Sequence, residues 1–215
     1  MASRTASKGR AASNGRASTA SRGRTKQTTP REDLQEVLKD GLKDIYYAEK
    51  QLVKALKKVS KAATNQELKA AFDNHRMETE GQIELLEQAF EAMEMRAAGK
   101  KCPAMDGLIE EANEHIEEMD KGPALDAALI VGAQKIEHYE IAAYGSLRAF
   151  AKCLGLPECE QIFDQILAQE SKTDELLTGV ADTVNREALS GEDSGDMSGR
   201  SSVGVEMGEM EEEQM

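Results

Sequence analysis

Four helix-boundary signals punctuate this chain, and they constrain the fold more than any other feature. Thr29-Pro30-Arg31-Glu32 reads as a capping box with proline at the first helical position, and Thr64-Asn65-Gln66-Glu67 reads as a second box. Gly122-Pro123 and Gly155-Leu156-Pro157 each end one segment and open another. The stretches between them carry apolar residues at helical spacing, as in Leu34, Leu38, Ile45, Leu52, Leu56 and Val59. Leu68, Phe72, Leu86 and Phe90 continue the pattern, followed by Leu125, Leu129, Ile136, Tyr144 and Leu147, then Ile162, Ile166, Leu177 and Val180. The spacing predicts helices over 30–61, 65–96, 123–154 and 157–186.

A few residues join the first helix to the second and the third to the fourth, so each pair forms an antiparallel hairpin. The segment 97–122 between the pairs is long, with a short acidic helix around Met105–Met119. Two hairpins joined by one long crossover make an all-α, up-down four-helix bundle of the ferritin-like kind. The halves also read as a repeat, with Phe72-Asp73 matching Phe163-Asp164 and Leu85-Leu86 matching Leu176-Leu177. Composition agrees: Ala, Leu, Glu, Lys, Gln and Met dominate, and aromatic residues make up only 4%. No apolar stretch approaches a membrane span.

The net charge of −13 is unevenly spread. Residues 1–30 hold seven Lys/Arg and no acid, and residues 191–215 hold eight acids and one Arg. The two ends cancel, leaving the whole −13 on the helical body, which does not suit nucleic acid. The expected organisation is a basic disordered arm over 1–29, a bundle over 30–188 and an acidic disordered tail over 189–215. The arm lacks Leu, Ile, Val and Phe and cannot bury enough apolar surface to fold. Its plain reading is a solvated arm; weak non-specific DNA contact through residues 1–30 and organelle targeting are the alternatives. Cys102, Cys153 and Cys159 form no metal-binding spacing and leave one thiol unpaired, which fits a reducing cytoplasm.

Each helix breaks its apolar stripe near the middle with an acid: Glu49, Glu78, Glu140 and Glu170. A lone carboxylate facing a core costs several kcal/mol unless it is neutralised or paired. All four lie ~20–23 Å from their hairpin turns at the helical rise, so one layer can hold them. Two divalent cations, iron or manganese, would relieve their repulsion. The bland alternative is surface glutamates, abundant in a chain with 40 acids.

Neighbouring residues extend the candidate set. His75 precedes Glu78 by three and Glu137 precedes Glu140 by three, each on the same helical face, and both are candidate ligands. Asp174, one turn after Glu170, is a candidate ligand or an acceptor behind one. His138 is expected to point away from the core. Tyr46, Tyr47, Tyr139 and Tyr144 lie near Glu49 or Glu140, as core packing or as hydrogen-bond donors to a ligand carboxylate.

These motifs together resemble the YciF-like family of bacterial ferritin-like stress proteins. The resemblance rests on Tyr47-Ala48-Glu49-Lys50-Gln51-Leu52, His75-x-x-Glu78-Thr79, Glu137 through Tyr144, and Glu170 with Asp174-Glu175-Leu176-Leu177. It covers residues 32–186 and implies a ferritin-like fold, a homodimer and a link to stress. Rubrerythrins and other ferritin relatives commonly place His three residues after Glu on the second and fourth helices. Gly81 and Thr173 stand there instead, which argues against ferroxidase or peroxidase chemistry, and a carboxylate-rich set also accepts manganese. Three functions compete: an oxidoreductase acting on peroxide or oxygen species, a metal-binding stress protein without turnover, and an interaction protein working through its basic arm.

Overall fold

The computed structural model describes residues 28–192. The expected arm, apart from Thr28 and Thr29, and nearly all of the expected acidic tail lie outside the described residues. Among the described residues five helices form: α1 (Pro30–Ala62), α2 (Gln66–Ala92), α3 (Pro103–Glu118), α4 (Pro123–Leu154) and α5 (Pro157–Glu192). Among the described residues there is no strand, and no helix is long and apolar enough to cross a membrane.

Local chemistry sets the helix ends. Thr29 caps α1, with Glu32 N–H donating to its hydroxyl and Thr29 N–H donating to the Glu32 carboxylate. The second cap differs from expectation by one residue. Asn65, not Thr64, caps α2, its side-chain oxygen accepting from Glu67 and Leu68 N–H. Thr64 is drawn elsewhere, to Asp126 at the start of α4. The α2 helix also stops four residues early, at Ala92. Glu94 takes a left-handed conformation (φ 53°) and Met95 N–H bonds back to Phe90 C=O, a C-terminal turn that normally announces itself with glycine. Gly155 plays that part for α4 at φ 70°. The last helix runs on to Glu192, past the expected 186 and into the first residues of the expected tail.

α1 pairs with α2, α4 with α5, and the hairpins meet through α1 against α4 and α2 against α5. Side-chain bonds give the polarity. Arg31 at the start of α1 donates to Leu154 C=O at the end of α4, while Asp126 at the start of α4 accepts from the α1–α2 turn. Every adjacent pair is therefore antiparallel and the chain runs up, down, down, up. This is the ferritin-like bundle, with α3 as the crossover lying over α1 and α4. Gly41 lets α1 approach α4, since a Cβ there would stand 2.9 Å from Leu147 Cδ2. The repeat survives in detail: Asp73 binds Ser60 across the first hairpin and Asp164 binds Arg148 across the second.

Candidate metal centre

The core stripes are interrupted at mid-length. On α2 the buried positions run Leu68, Phe72, His75, Thr79, Gln82, Leu86, alternating steps of four and three. On α5 they run Ile166, Glu170, Thr173, Leu177, and on α4 Ile136, Glu137, Glu140, Tyr144. On α1, Glu49 fills the gap between Ile45 and Leu52. The two hairpin turns sit at opposite ends of a bundle ~48 Å long, so residues ~21 Å from either turn meet near its middle.

The layer is dry. Glu49, Glu140 and Glu170 are 0% exposed, Glu137 1% and His75 3%. One donor atom from each of His75, Glu137, Glu140 and Glu170 lies within 4.8 Å of the other three, a group able to hold a metal ion. His75 Nε2 stands 3.0 Å from Glu137 Oε1. Glu49 is held from behind by the Tyr144 hydroxyl, and Glu170 accepts from Gln82 Nε2 at 2.6 Å. Thr79 donates to His75 C=O at 2.8 Å.

Burial is the main electrostatic force. It pushes Glu49 up to about 8, with the Glu170 charge adding to the rise and the Tyr144 hydrogen bond opposing it. Burial likewise lifts Glu137 to about 8. Glu140 rises well above the carboxylate range through burial and then the charges of Glu49, Glu170 and Glu137. Glu170 rises for the same first reason, with Glu137 adding to it. The Tyr144 phenol is also pushed far up by burial, so it donates to Glu49 as a neutral hydroxyl.

These donors fit a divalent cation. Both Glu140 oxygens, one oxygen each of Glu49, Glu137 and Glu170, and His75 Nδ1 are buried without a hydrogen-bond partner, and His75 Nε2 meets only Glu137 Oε1 at 3.0 Å. Orphaned acceptors of that number are costly in a core, and coordination to a metal satisfies them at once. Carboxylate oxygens with one imidazole suit iron or manganese. Four carboxylates carry a charge of −4, which two divalent cations neutralise, leaving the imidazole neutral as a ligand must be.

The candidates named from sequence fall into two groups. Glu49, Glu137, Glu140, Glu170 and His75 converge in the buried layer. Glu78 and Asp174 do not join it. Glu78 is half-buried in a groove between α2 and α5, beside His75 and Lys172, because six residues from Phe72 carries it ~120° off the stripe. Asp174 is half-buried too and is engaged by Gln134 and His138, while Thr173 takes the inward place. His138 points outward, as expected. Of the tyrosines, only Tyr144 serves the layer; Tyr46, Tyr47 and Tyr139 bind Glu87, Asp106 and Asp44. Gln82 and Thr79 were missed, although the four-three alternation from Phe72 to Leu86 points to both.

The fold and this layer define a class: a ferritin-like bundle whose middle is lined by carboxylates and one imidazole. Within that class, the family described as a domain of unknown function, DUF892, matches residues 33–190, and the chain belongs to it. Protein YciF of Escherichia coli is 47% identical over 149 residues, spanning 68% of this chain and 90% of that protein. The solved structure of the E. coli stress protein YciF superposes with a TM-score of 0.69 at 44% identity, covering 72% of this chain and 98% of that one. YcfI from Rhodopseudomonas palustris gives 0.65 at 43% identity, covering 67% and 92%.

Proposed function

We propose that the buried layer is a di-metal carboxylate centre and that the chain is a metal-binding stress protein. The observation that carries this reading is the convergence of His75, Glu137, Glu140 and Glu170 within 4.8 Å, with orphaned oxygens and no Lys or Arg side chain among them. Glu49 completes the set, and Glu78 and Asp174 are ligands only if their side chains turn inward on binding. The stress role is carried from the E. coli stress protein YciF, to which the chain is similar. The centre would hold two iron or manganese ions. When bound, redox-active ions of this kind supply electrons to peroxide or oxygen species.

The chain's own residues prepare the layer for that load. Tyr144 and Gln82 orient Glu49 and Glu170 by donating to one oxygen of each, leaving the other free to coordinate. Thr79 ties the turn that carries His75, and the apolar residues above and below exclude water. A surface groove between α2 and α5, lined by Ala71, Met77 and Leu176 as well as Asn74, Glu78 and Lys172, reaches His75 and offers ions an approach. The deciding experiment is elemental analysis of the full chain purified without chelators, with peroxide and dioxygen consumption measured on the same sample. Close to two iron or manganese ions per chain is the expected result. Absence of metal after incubation with either ion rejects the centre; metal without turnover leaves a storage or structural role.

A further inference from the structure

On the outer face of the first hairpin, α1 and α2 flank an open depression of about 460 Å³ lined by Lys57, Ser60, Lys61, Lys69, Asp73 and Arg76. Four cations face one acid there, and that acid, Asp73, already accepts from Ser60 at 2.9 Å. Arg76 is paired with Glu80, whereas Lys57, Lys61 and Lys69 have no ion-pair partner among the described residues. Lys121, donating to Lys61 C=O at 3.1 Å, adds a further cation beside them. Other depressions on the bundle are balanced. Lys54 and Lys58 face Asp106 and Glu110 beside α3, and Arg148 and Lys152 face Glu160 and Asp164 between α4 and α5. On a chain of net charge −13, an unbalanced cationic depression fits an acidic partner.

We propose that this depression is the docking site of the chain's own acidic segment, residues 206–213. That segment carries Glu206, Glu209, Glu211, Glu212 and Glu213 and no basic residue. The fold delivers it to the right end of the bundle. Asn65 Nδ2 donates to Glu187 Oε2 at 3.2 Å, so the last turns of α5 lie beside the α1–α2 turn that Lys61 and Lys69 flank. At the helical rise, Glu192 stands ~8 Å beyond that turn and Arg76 ~16 Å below it. Residues 193–205 include three Gly and four Ser, and Gly-rich linkers of 14–21 residues span roughly 20–27 Å on average. Reach and span therefore match, and a linker of this kind holds its cargo at about millimolar effective concentration. Exposed ion pairs are weak singly, so tethering and several simultaneous contacts are what make docking effective. The cationic arm joins the bundle at the opposite end, at Pro30, and the lysines repel it. None of the lining residues belongs to the buried layer, so the docking stands apart from the metal centre.

The test is carbodiimide cross-linking of the full chain, which joins a lysine amine to a carboxylate in contact with it, on an equal mixture of isotopically light and heavy protein. Peptides joining residues 206–213 to Lys57, Lys61 or Lys69 should exceed those to Lys54 and Lys172 several-fold, with the same isotope in both halves. Salt at 1 M should abolish the excess, because the screening length falls to about 3 Å. The same excess at Lys8 or Lys26 overturns the proposal in favour of the arm as the segment's partner. Mixed-isotope pairs overturn it in favour of a second copy, and an even spread over all lysines overturns it outright. A second measurement reads the depression itself. Replacing the five glutamates of residues 206–213 by Gln in the full chain leaves the helices untouched and should shift the amide resonances of Lys57, Lys61 and Lys69. Unchanged resonances at all three positions overturn the proposal.

Discussion

Burial away from solvent favours the acid form of a carboxyl group, and the layer contains four buried ones. Tyr144 and Gln82 satisfy one oxygen each of Glu49 and Glu170, while both oxygens of Glu140 have no partner. Glu140 is therefore the residue whose charge costs most in the metal-free chain and whose coordination gains most in the loaded one. Glu140→Gln keeps the volume and removes the charge. Without metal the substitution is expected to be neutral or stabilising by about 1–2 kcal/mol. In the presence of saturating manganese it should lose about 2–3 kcal/mol of metal-linked stability and most of the bound ions. Denaturant titrations of both proteins, with chelator and with Mn(II), measure the two signs. A surface glutamate would change neither state by more than a few tenths of a kcal/mol.

At the scale of elements, a buried aspartate ties the first hairpin turn to the start of α4. Asp126, 1% exposed at the start of α4, accepts from Thr64 N–H at 2.8 Å, Thr64 hydroxyl at 2.7 Å and Asn65 N–H at 2.7 Å. Hydrogen bonds to a charged acceptor contribute roughly 1.5–3 kcal/mol each when broken singly, and the three are not additive. Asp126→Ala should cost about 3 kcal/mol and lower the melting temperature by roughly 6–12 °C for a domain of this size. Metal content should not change, because the layer lies half a bundle away; calorimetry and metal analysis on one sample decide both points. The tie from Asp126 to Thr64 and Asn65 did not stand out in the sequence, and the reason is general. The Thr64 box was read as a local cap, whereas a carboxylate sixty-two residues away claims its donors. What was legible was periodic: the helices, the hairpins and the inward acids on α1, α4 and α5 follow from spacing alone. On α2 Glu78 was chosen for its chemistry beside His75, whereas the stripe through Phe72 and Leu86 brings His75, Thr79 and Gln82 inward. The early end of α2 was illegible because Glu94 adopts a conformation its side chain does not advertise.

The whole molecule answers to pH through the layer. In the unfolded chain the glutamates lose their protons near 4.5; in the fold burial holds them on Glu49 and Glu137 to about 8, and raises Glu140 and Glu170 well above the ordinary carboxylate value too. Between those limits the folded chain carries more protons than the unfolded one, so stability falls as pH rises. The contribution is complete below pH 4.5 and is lost progressively through pH 8. Metal inverts the slope, because cations bind the deprotonated carboxylates and binding releases the protons the apo layer retained. The chelated full chain should melt several degrees lower at pH 8 than at pH 5.5, and the manganese-loaded chain should melt higher at pH 8 than at pH 5.5. The net charge of −13 also disfavours the fold at high pH, so the paired Glu140→Gln and Glu170→Gln variant is the control. It should flatten the apo slope without changing the surface charge. An apo slope that is flat or rising in the parent protein, or one the double substitution leaves intact, would show that the layer is already hydrated or neutralised by other means.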